Sequence, residues 1–464
     1  MLFPFGFFCS HSNSRRASSD RDAFVLSLAV SLACLRTVIA QNFDERVFVT
    51  DSTDDRGIVL EDRNESGTFE PEMTGEVEVY YDDSSEGPDL SNPSHLARDE
   101  SGVLYLLDGG TLDVVLTLVD INGDGDANDV VEVQEFYSSE SGAVELRTPN
   151  TMIFGPDGGL YIADDSSTAP RIVRLEDLNR DGDAMDEGEA AIVYELSAFS
   201  VEVPRDPESI AFGADGTMYV GDSTSQAIFA MTDRDGDGTF LGAQEIEVFY
   251  QSPTDSPMMD IDCLAVLDRA VFFCDEDTGL ILRLYDANGD GAIASNEVSV
   301  FLDGTAERLV RDINDFALLD DGRFFALDGA ADTLFLIEDL SGDGDALDEG
   351  EVIRLIVDDG ATLATPSALA VRSSERVTFI RGETTGDGTI GIGDPILILA
   401  YLFSGAEHLG CLDAADSNDD GAVDITDAIY VLSYLFAGGL TLPPPHPEPG
   451  IDPTEDSLVC ELSD

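Results

Sequence analysis

Residues 115–137 read VLTLVDINGDGDANDVVEVQEFY, an apolar segment followed by an oxygen-rich loop and a second apolar segment. Within this stretch Asp120, Asn122 and Asp124 place side-chain oxygens at alternate positions, and Gly125 comes directly after them. Glycine permits the tight turn that directs such oxygens at one centre. Hard oxygen ligands select calcium over zinc or copper. The stretch therefore predicts a calcium-binding loop between two strands.

The same formula returns six times, at intervals of 53 to 58 residues. We number the loops from first to sixth by their opening residues, which are Asp62, Asp120, Asp177, Asp233, Asp286 and Asp339. Solvated acidic turns are the alternative interpretation of one isolated copy, but six copies in register argue against it. A period of this length predicts the blades of a β-propeller.

The second to sixth loops are predicted to bind Ca²⁺, each with a closing glutamate at position 12 or 13. The predicted ligands are Asp120, Asn122, Asp124, Asp126 and Glu132; Asp177, Asn179, Asp181, Asp183 and Glu189; Asp233, Asp235, Asp237 and Glu245; Asp286, Asn288, Asp290 and Glu297; and Asp339, Asp343, Asp345 and Glu351. In the sixth loop Ser341 is a weaker third ligand. The first loop is degenerate, and its occupancy stays open.

Each repeat contains four segments with strand-like alternation, so residues 41–380 predict a mainly β, six-bladed propeller. The first repeat lacks its opening strand, and we expect residues 47–50 and 367–371 to complete one blade together. The second strand of every repeat ends in aspartate: Asp51, Asp108, Asp164, Asp222, Asp275 and Asp328. Each of these six acids either caps a turn or accepts backbone hydrogen bonds from the neighbouring blade; in the alternative interpretation, some of them surround the axis and hold another cation.

These calcium loops without helices resemble the calcium hairpins of integrin α-subunit propellers. The strand pattern with Asp-Gly turns is similar to NHL-type and gluconolactonase-like six-bladed propellers. The resemblance is architectural and does not determine a substrate.

After residue 380 two loop-plus-helix units replace the strand pattern. The second unit places Asp416, Asn418, Asp420, Asp424 and Asp427 at calcium-loop positions, and the first keeps Asp387 and Asp394 but begins with Glu383. Residues 381–464 thus resemble a small α-helical, dockerin-like calcium-binding domain of planctomycete secreted proteins. The resemblance implies Ca²⁺, a Cys411–Cys460 disulfide and docking to a cohesin-like protein or a cell-surface component. A calcium-folded stability or sorting domain is the alternative.

In this predicted domain, the apolar residues at helical spacing are expected to form two faces. Ile396, Leu399 and Phe403 would face the partner helix, and Ile429, Leu432, Leu435 and Phe436 would lie on one face of the second helix.

The chain of 464 residues has a formal charge of −72, and all 23 of its basic residues are arginine. This charge argues against nucleic acid as a partner. Residues 1–40 predict a cleaved signal peptide, with a membrane anchor as the alternative, so the mature chain is expected to be secreted or surface-bound and to have no membrane span. In an exported chain Cys263 and Cys274 are expected to form a disulfide, with buried thiols as the alternative.

Only three histidines follow the predicted signal peptide, and His95 alone lies in the propeller, where a structural role is expected. The chain has no tryptophan, the usual sugar-binding platform. The leading hypothesis is a secreted calcium-binding propeller that acts as a binding or scaffold module, with carbohydrate as one candidate ligand. The alternative is a secreted hydrolase, a lactonase or a polysaccharide-degrading enzyme, whose axial carboxylates hold a divalent ion.

Overall fold

The computed structural model divides the chain into two units, residues 1–372 and 373–464, and describes residues between 45 and 447. Within that range it leaves out 65, 72, 83–86, 100, 111–112, 123, 130, 167–168, 197–202, 243, 254–260, 268, 276–278, 305–309, 311, 320, 357–362, 373–378, 387, 405–408, 410, 420, 424 and 438–440. The predicted signal peptide, Asp387, Asp420, Asp424 and Cys460 therefore lie outside the described residues. Among the described residues, no helix combines the length and apolar composition needed to cross a lipid bilayer.

The first unit contains six four-stranded antiparallel sheets, which confirms the prediction of a mainly β, six-bladed propeller. The strands are β1 (Arg46–Asp51), β2 (Arg56–Leu60), β3 (Val77–Asp82), β4 (Pro93–Arg98), β5 (Leu104–Asp108), β6 (Val114–Leu118), β7 (Val133–Ser138), β8 (Pro149–Phe154), β9 (Leu160–Asp164), β10 (Arg171–Leu175), β11 (Ala190–Glu195), β12 (Pro207–Phe212), β13 (Met218–Asp222), β14 (Ala227–Met231), β15 (Ile246–Gln251), β16 (Leu264–Leu267), β17 (Ala270–Asp275), β18 (Leu280–Tyr285), β19 (Val298–Asp303), β20 (Ile313–Leu318), β21 (Phe324–Asp328), β22 (Thr333–Ile337), β23 (Val352–Arg354) and β24 (Pro366–Arg372).

One sheet has the order β24-β1-β2-β3, so the last strand of the propeller pairs with the first. Val47 pairs with Val371 and Val49 with Leu369 in an antiparallel register. The hydroxyls of Thr50 and Ser367 lie 2.9 Å apart across this pair. The prediction that the two ends complete one blade is confirmed, and the pairing removes two open sheet edges.

Apolar side chains between neighbouring sheets form the core. The second strands of four blades, β5, β9, β17 and β21, are buried along their whole length. The ring of Tyr105 lies 4.9 Å from that of Phe154 in the next sheet, and Tyr161 contacts Phe212 of its next sheet at the same distance. Such edge-to-face pairs add to the energy of burial, and they hold adjacent blades together.

Antiparallel connectivity gives the propeller two different rims. In every blade the loop between the third and fourth strands lies at one end, which we call the loop rim. In the five blades whose first two strands are consecutive in the chain, the turn between those strands lies at the same end. At the other end, which we call the opposite rim, lie the turn between the second and third strands and the connection to the next blade. All six predicted calcium loops join third to fourth strands and therefore share the loop rim.

The second unit contains α1 (Gly393–Ser404), α2 (Leu412–Ala415), α3 (Ile425–Leu432) and a π-helical turn (Ser433–Ala437). Helices α1 and α3 pack together around a core made by Ile398, Leu409, Ala415 and Ala428. The prediction that Ile396 and Phe403 face the partner helix is wrong, because they are 58% and 69% exposed. Ile398 of α1 is fully buried instead, and on the second helix Ile429 and Phe436 are also exposed.

Arg381 is fully buried in this unit and connects its parts. Its guanidinium donates to the carbonyl oxygens of Asp413, Asp416 and Pro444, at 3.2, 2.8 and 2.8 Å, and lies 3.0 Å from the carboxylate of Asp419. A buried guanidinium needs such partners to offset its lost hydration. The arginine therefore holds the proline-rich segment against the second C-terminal loop.

Candidate functional site

The third loop illustrates how the backbone shapes each predicted calcium site. One oxygen of Asp177 accepts the backbone N–H groups of Arg180 and Asp181 at 2.6 and 3.2 Å, and the other accepts that of Gly182 at 3.0 Å. Gly182 has a φ of 102°, which glycine adopts without strain. The backbone thus wraps around the first carboxylate, as an oxygen-rich cation loop requires.

The closing glutamate of this loop is buried beneath it. Glu189 is 3% exposed; one of its oxygens accepts N–H groups from Leu178 and Asn179 at 3.0 and 3.2 Å, and the other accepts that of Asp186 at 2.9 Å. Closing glutamates with the same contacts to both ends of their loops are Glu132, Glu245, Glu297 and Glu351. Each one directly precedes the fourth strand of its blade.

Acidic oxygens converge most closely in two loops. Ligand atoms of Asp124, Asp126 and Glu132 lie within 4.8 Å of one another in the second loop, as do those of the three aspartates that open the fourth loop, Asp233, Asp235 and Asp237. The described acids of the first, third, fifth and sixth loops do not bring three carboxylates this close. In the third loop the amide of Asn179 donates to Asp181 and Asp186, at 3.1 and 2.7 Å, as the amide of Asn122 does to the equivalent acids of the second loop.

Each loop also bonds to the blade before it, a contact that the sequence reasoning missed. The eighth loop residue donates its backbone N–H to a carbonyl at the outer edge of the preceding sheet, over 2.7 to 2.8 Å. The pairs are Phe69 to Leu355, Ala127 to Tyr80, Ala184 to Phe136, Phe240 to Val193, Ile293 to Phe249 and Ala346 to Phe301. Five of these six donor residues are buried. The loops therefore form a ring of six bonds between blades.

The C-terminal unit repeats part of the loop geometry. Asp394 is fully buried, and its oxygens accept N–H groups from Thr384, Thr385 and Gly391 at 2.9, 3.1 and 2.6 Å. In the second C-terminal loop, buried Asp416 accepts from Gly421 at 2.7 Å and buried Asp427 from Asn418 at 3.3 Å. These contacts correspond to those of the first and closing acids of the propeller loops.

The aspartates that end the second strands lie at the opposite rim. Asp108 accepts the N–H groups of Ser91 and Asn92 at 2.6 and 3.1 Å, and Asp164 accepts that of Thr148 at 2.9 Å. These donors precede the first strand of the same sheet, so the expectation of bonds from a neighbouring blade is wrong. The carboxylates cap the chain as it enters their own blade, because the connection must turn there into the innermost strand.

A separate acidic group lies at the same rim. Ligand atoms of Asp165, Asp206 and Glu208 lie within 4.8 Å of one another. Burial, with the charges of Asp206, Glu208 and Asp164, raises the pKa of Asp165 to about 6. Asp165 follows one blade's second strand while the other two acids come from the next blade's entry, so sequence spacing gave no signal for this group.

The innermost strands surround a cavity of about 230 Å³. All six blades line it, through His95, Thr151, Ser209, Leu264, Asp315 and Leu369. Burial lowers the pKa of His95 to about 4, and its Nε2 lies 3.2 Å from the Thr151 hydroxyl, as expected of a structural histidine. Burial raises the pKa of Asp315 to about 7, although it accepts N–H groups from Leu369 and Phe316.

The predicted Cys263–Cys274 disulfide is present, and Cys263 lines this cavity. Cys263 directly precedes the innermost strand β16, and Cys274 lies on the second strand β17 of the same blade. The backbone N–H of Cys274 donates to the carbonyl of Cys263 at 3.1 Å. The disulfide therefore ties the lining of the cavity to the second strand.

No family model matches the chain, and no curated protein sequence matches it. Similar solved structures include virginiamycin B lyase from Staphylococcus aureus, at 14% identity over 60% of this chain and 73% of the lyase, with a TM-score of 0.37. A gluconolactonase from Xanthomonas campestris has 16% identity over 62% of this chain and 84% of its own, with a TM-score of 0.39. A nidogen/laminin complex has 13% identity over 71% of this chain and 99% of its own, with a TM-score of 0.46. Similarity at this level carries no inference about activity.

Proposed function

We propose that this protein is a calcium-binding propeller in which Ca²⁺ at the loop rim stabilises the contacts between blades. The observation that carries the proposal is the shared loop frame, in which backbone N–H groups hold both the first aspartate and the closing glutamate of the second to sixth loops. Crowded carboxylates repel one another unless a cation lies between them, and oxygen-only ligand sets suit Ca²⁺.

The ring of bonds from the eighth loop residues gives calcium a structural consequence. A cation that orders a loop also orders the backbone N–H that the loop presents to the preceding blade. Binding to the native state alone stabilises that state by mass action. Calcium would thus hold neighbouring sheets together at their outer edges.

The test is a calcium titration of the full-length chain by isothermal calorimetry, with Mg²⁺ as the competing ion. We expect at least five equivalents of Ca²⁺ from the propeller, one for each of the second to sixth loops, and one from the second C-terminal loop. Ca²⁺ should be preferred over Mg²⁺ because Mg²⁺ demands a smaller, octahedral site. Binding of fewer than three equivalents, or equal preference for Mg²⁺, would contradict the proposal.

We also propose that the propeller is secreted and positioned by its C-terminal unit, which docks onto a cohesin-like protein or a cell-surface component. Support comes from three pairs of exposed apolar residues that recur 33 residues apart in its two halves: Ile392 and Ile425, Ile396 and Ile429, and Phe403 and Phe436. Exposed apolar clusters of this kind are typical of protein-binding surfaces.

The docking proposal is tested by capturing the partner from culture medium on immobilised full-length protein, with and without EDTA. The double variant Phe403→Ser/Phe436→Ser should lose the capture, whereas Val300→Ser, which removes an exposed apolar residue from the propeller, should keep it. Equal capture by both variants would show that these C-terminal residues do not contact the partner.

A second candidate function, a secreted lactonase or polysaccharide hydrolase, is favoured by the acidic group of Asp165, Asp206 and Glu208. Glu208 stands on the same innermost strand as Ser209, which lines the cavity, so these acids and the cavity share one structural element. Such an ion could polarise a carbonyl or activate water.

To test this candidate, metal-stripped full-length protein is supplied with Ca²⁺, Mn²⁺ or Zn²⁺ and assayed on lactones and on polysaccharides. Hydrolysis that requires the ion and falls at least about tenfold in Asp206→Asn, but not in Asp215→Asn at the loop rim, would support it. If no ion supports turnover, the hydrolase candidate fails and only the binding role remains.

A further inference from the structure

The first loop, whose formula is degenerate, has the same backbone frame as the other five. The residue before the loop donates its N–H to the carbonyl of Glu76 at 3.0 Å, as its counterparts do to the closing glutamates. The eighth residue, Phe69, bonds to the preceding blade. Glu76 directly precedes β3 and stands fifteenth from Asp62, so two extra residues hid it from a pattern that expects the acid at position 12 or 13.

The carboxylate of Glu76 is fully buried but only half satisfied. One oxygen, Oε2, accepts the backbone N–H of the loop residue Glu70 at 2.8 Å. The other, Oε1, accepts no hydrogen bond among the described residues. In the other five loops the corresponding oxygen accepts N–H groups from loop positions 2 or 3, whereas here the N–H of Arg63 donates to the carbonyl of Glu61. A buried carboxylate oxygen without a donor is costly unless a cation compensates it.

Further oxygens of the loop are connected to this carboxylate. The side chain of Asp62 accepts N–H groups from Ser66 and Gly67 at 3.0 and 2.7 Å, as the first aspartates do elsewhere. The amide of Asn64 donates to Glu70 at 2.7 Å, and Glu70 donates its backbone N–H to Glu76. The guanidinium of Arg63 is occupied outside this set, because it pairs with Glu61 at 3.1 Å.

We propose that the first loop is a further Ca²⁺ site, held by Asp62, Asn64, Glu70 and Glu76. Glu70 would supply the third carboxylate that Ser66 lacks, so the set carries three negative charges, a number typical of oxygen-ligand calcium loops. The site lies in the blade that closes the propeller, where β24 pairs with β1. This inference rests on the proposed calcium binding of the other loops, and its test separates the two.

The experiment counts bound Ca²⁺ on the full-length chain by native mass spectrometry at saturating calcium. Glu76→Gln and Glu70→Gln should each bind one ion fewer than the wild type. Glu78→Gln, which removes a half-buried acid from β3 two residues further on, should bind the wild-type number. Glu189→Gln, in the third loop, is the reference variant and should also lose one ion.

If Glu189→Gln loses an ion while Glu76→Gln and Glu70→Gln keep the full number, the first-loop site is overturned and the proposed function stands. If Glu189→Gln keeps the full number as well, the proposed function itself fails. Should Glu76→Gln not fold, Glu70→Gln decides, because its backbone N–H to Glu76 is unchanged: one ion fewer supports the site, and an unchanged number overturns it.

Discussion

Both rims of the propeller are crowded with carboxylates, but the hydrogen bonds and the electrostatic environment of these carboxylates differ between the rims. At the loop rim each closing glutamate except Glu76 has backbone N–H donors on both oxygens, so the loop itself organises the charge. At the opposite rim burial and neighbouring acids raise the pKa of Asp113 and Asp165 to about 6. The comparison shows that carboxylates of one hairpin can share local donors, whereas carboxylates gathered from different blades mainly repel one another.

The rims also differ in how binding would affect the fold. A cation in a loop acts within one hairpin and reaches the preceding blade through a backbone bond, such as that from Ala184 to Phe136. A cation or proton at the opposite rim would instead join acids from two blades directly. The loop rim therefore stabilises the propeller through the same contact repeated in each blade. The opposite rim has carboxylates with raised pKa values, which binding sites often contain.

Removal of calcium should have the largest effect, and it tests the loop rim as a whole. Each site adds about 2 to 3 kcal/mol at saturating calcium, and a large domain shifts by roughly 2 °C per kcal/mol. EDTA should therefore lower the melting temperature by at least about 10 °C, measured by calorimetry at low salt. Excess Ca²⁺ should restore it and equimolar Mg²⁺ should not; an unchanged melt would remove calcium as a structural ion.

Ala184→Leu tests the bond between the third loop and the preceding blade. Ala184 is fully buried at this boundary, and a larger side chain there should cost about 1 to 3 kcal/mol through overpacking and weaken calcium binding by the third loop. Chemical denaturation and calcium titration measure the two effects. Ala191→Leu, at an exposed position of β11, is the control and should change neither. If stability falls and calcium affinity does not change, calcium binding by the third loop does not depend on the contact with the preceding blade.

Asp113→Asn tests charge repulsion at the opposite rim. Burial, with the charges of Asp164, Asp108 and Glu145, raises the pKa of Asp113 to about 6. Because this folded-state pKa lies above the usual 3.8, the wild type loses stability as pH rises from about 4 through 6. Above pH 7 the variant should be more stable by about 1 kcal/mol after allowance for solvent screening, and the difference should vanish near pH 4. Asparagine tolerates the φ of 47° at this position.

Melting temperatures across pH 4 to 8 measure this difference. Glu187→Gln, an exposed acid at the loop rim, is the control and should show no such trend. A variant that is less stable than the wild type at pH 8 would contradict the repulsion.

Ser341→Asp should have the smallest effect and sharpens the comparison among loops. Ser341 stands at position 3 of the sixth loop, where its hydroxyl is a weak ligand. A carboxylate there should raise the calcium affinity of that loop a few-fold, because affinity follows the charge of the ligand set. Calcium titration measures it, and Ser341→Asn, which adds an oxygen without charge, should give a smaller gain. A lower affinity in Ser341→Asp would show that repulsion outweighs the new ligand.

The confirmed predictions and the missed residue Glu76 differ in how regular their spacing along the chain is. The predicted closure of residues 47–50 with 367–371, the aspartate at each second-strand end and the Cys263–Cys274 bridge all follow from local patterns repeated in register, and all are present. Glu76 was missed because two inserted residues displaced it. Glu76 would have been found by a search for glutamate directly before a strand with two adjacent aromatic residues near its end. Examples are Glu76-Val-Glu-Val-Tyr-Tyr and Glu245-Ile-Glu-Val-Phe-Tyr.

The sequence by itself determined the number of blades, the place of every predicted calcium loop and the strand that closes the ring. The blades and loops depend on apolar alternation and turn residues within some fifty residues, and the closing strand follows from the one repeat that lacks its opening strand. Only the tertiary structure decided which N–H meets which carbonyl between blades, that Asp165 meets Asp206 and Glu208, and that Ile396 and Phe403 are exposed. Those contacts join segments that are distant along the chain or depend on how helices pack, and composition and spacing carry no record of such distances.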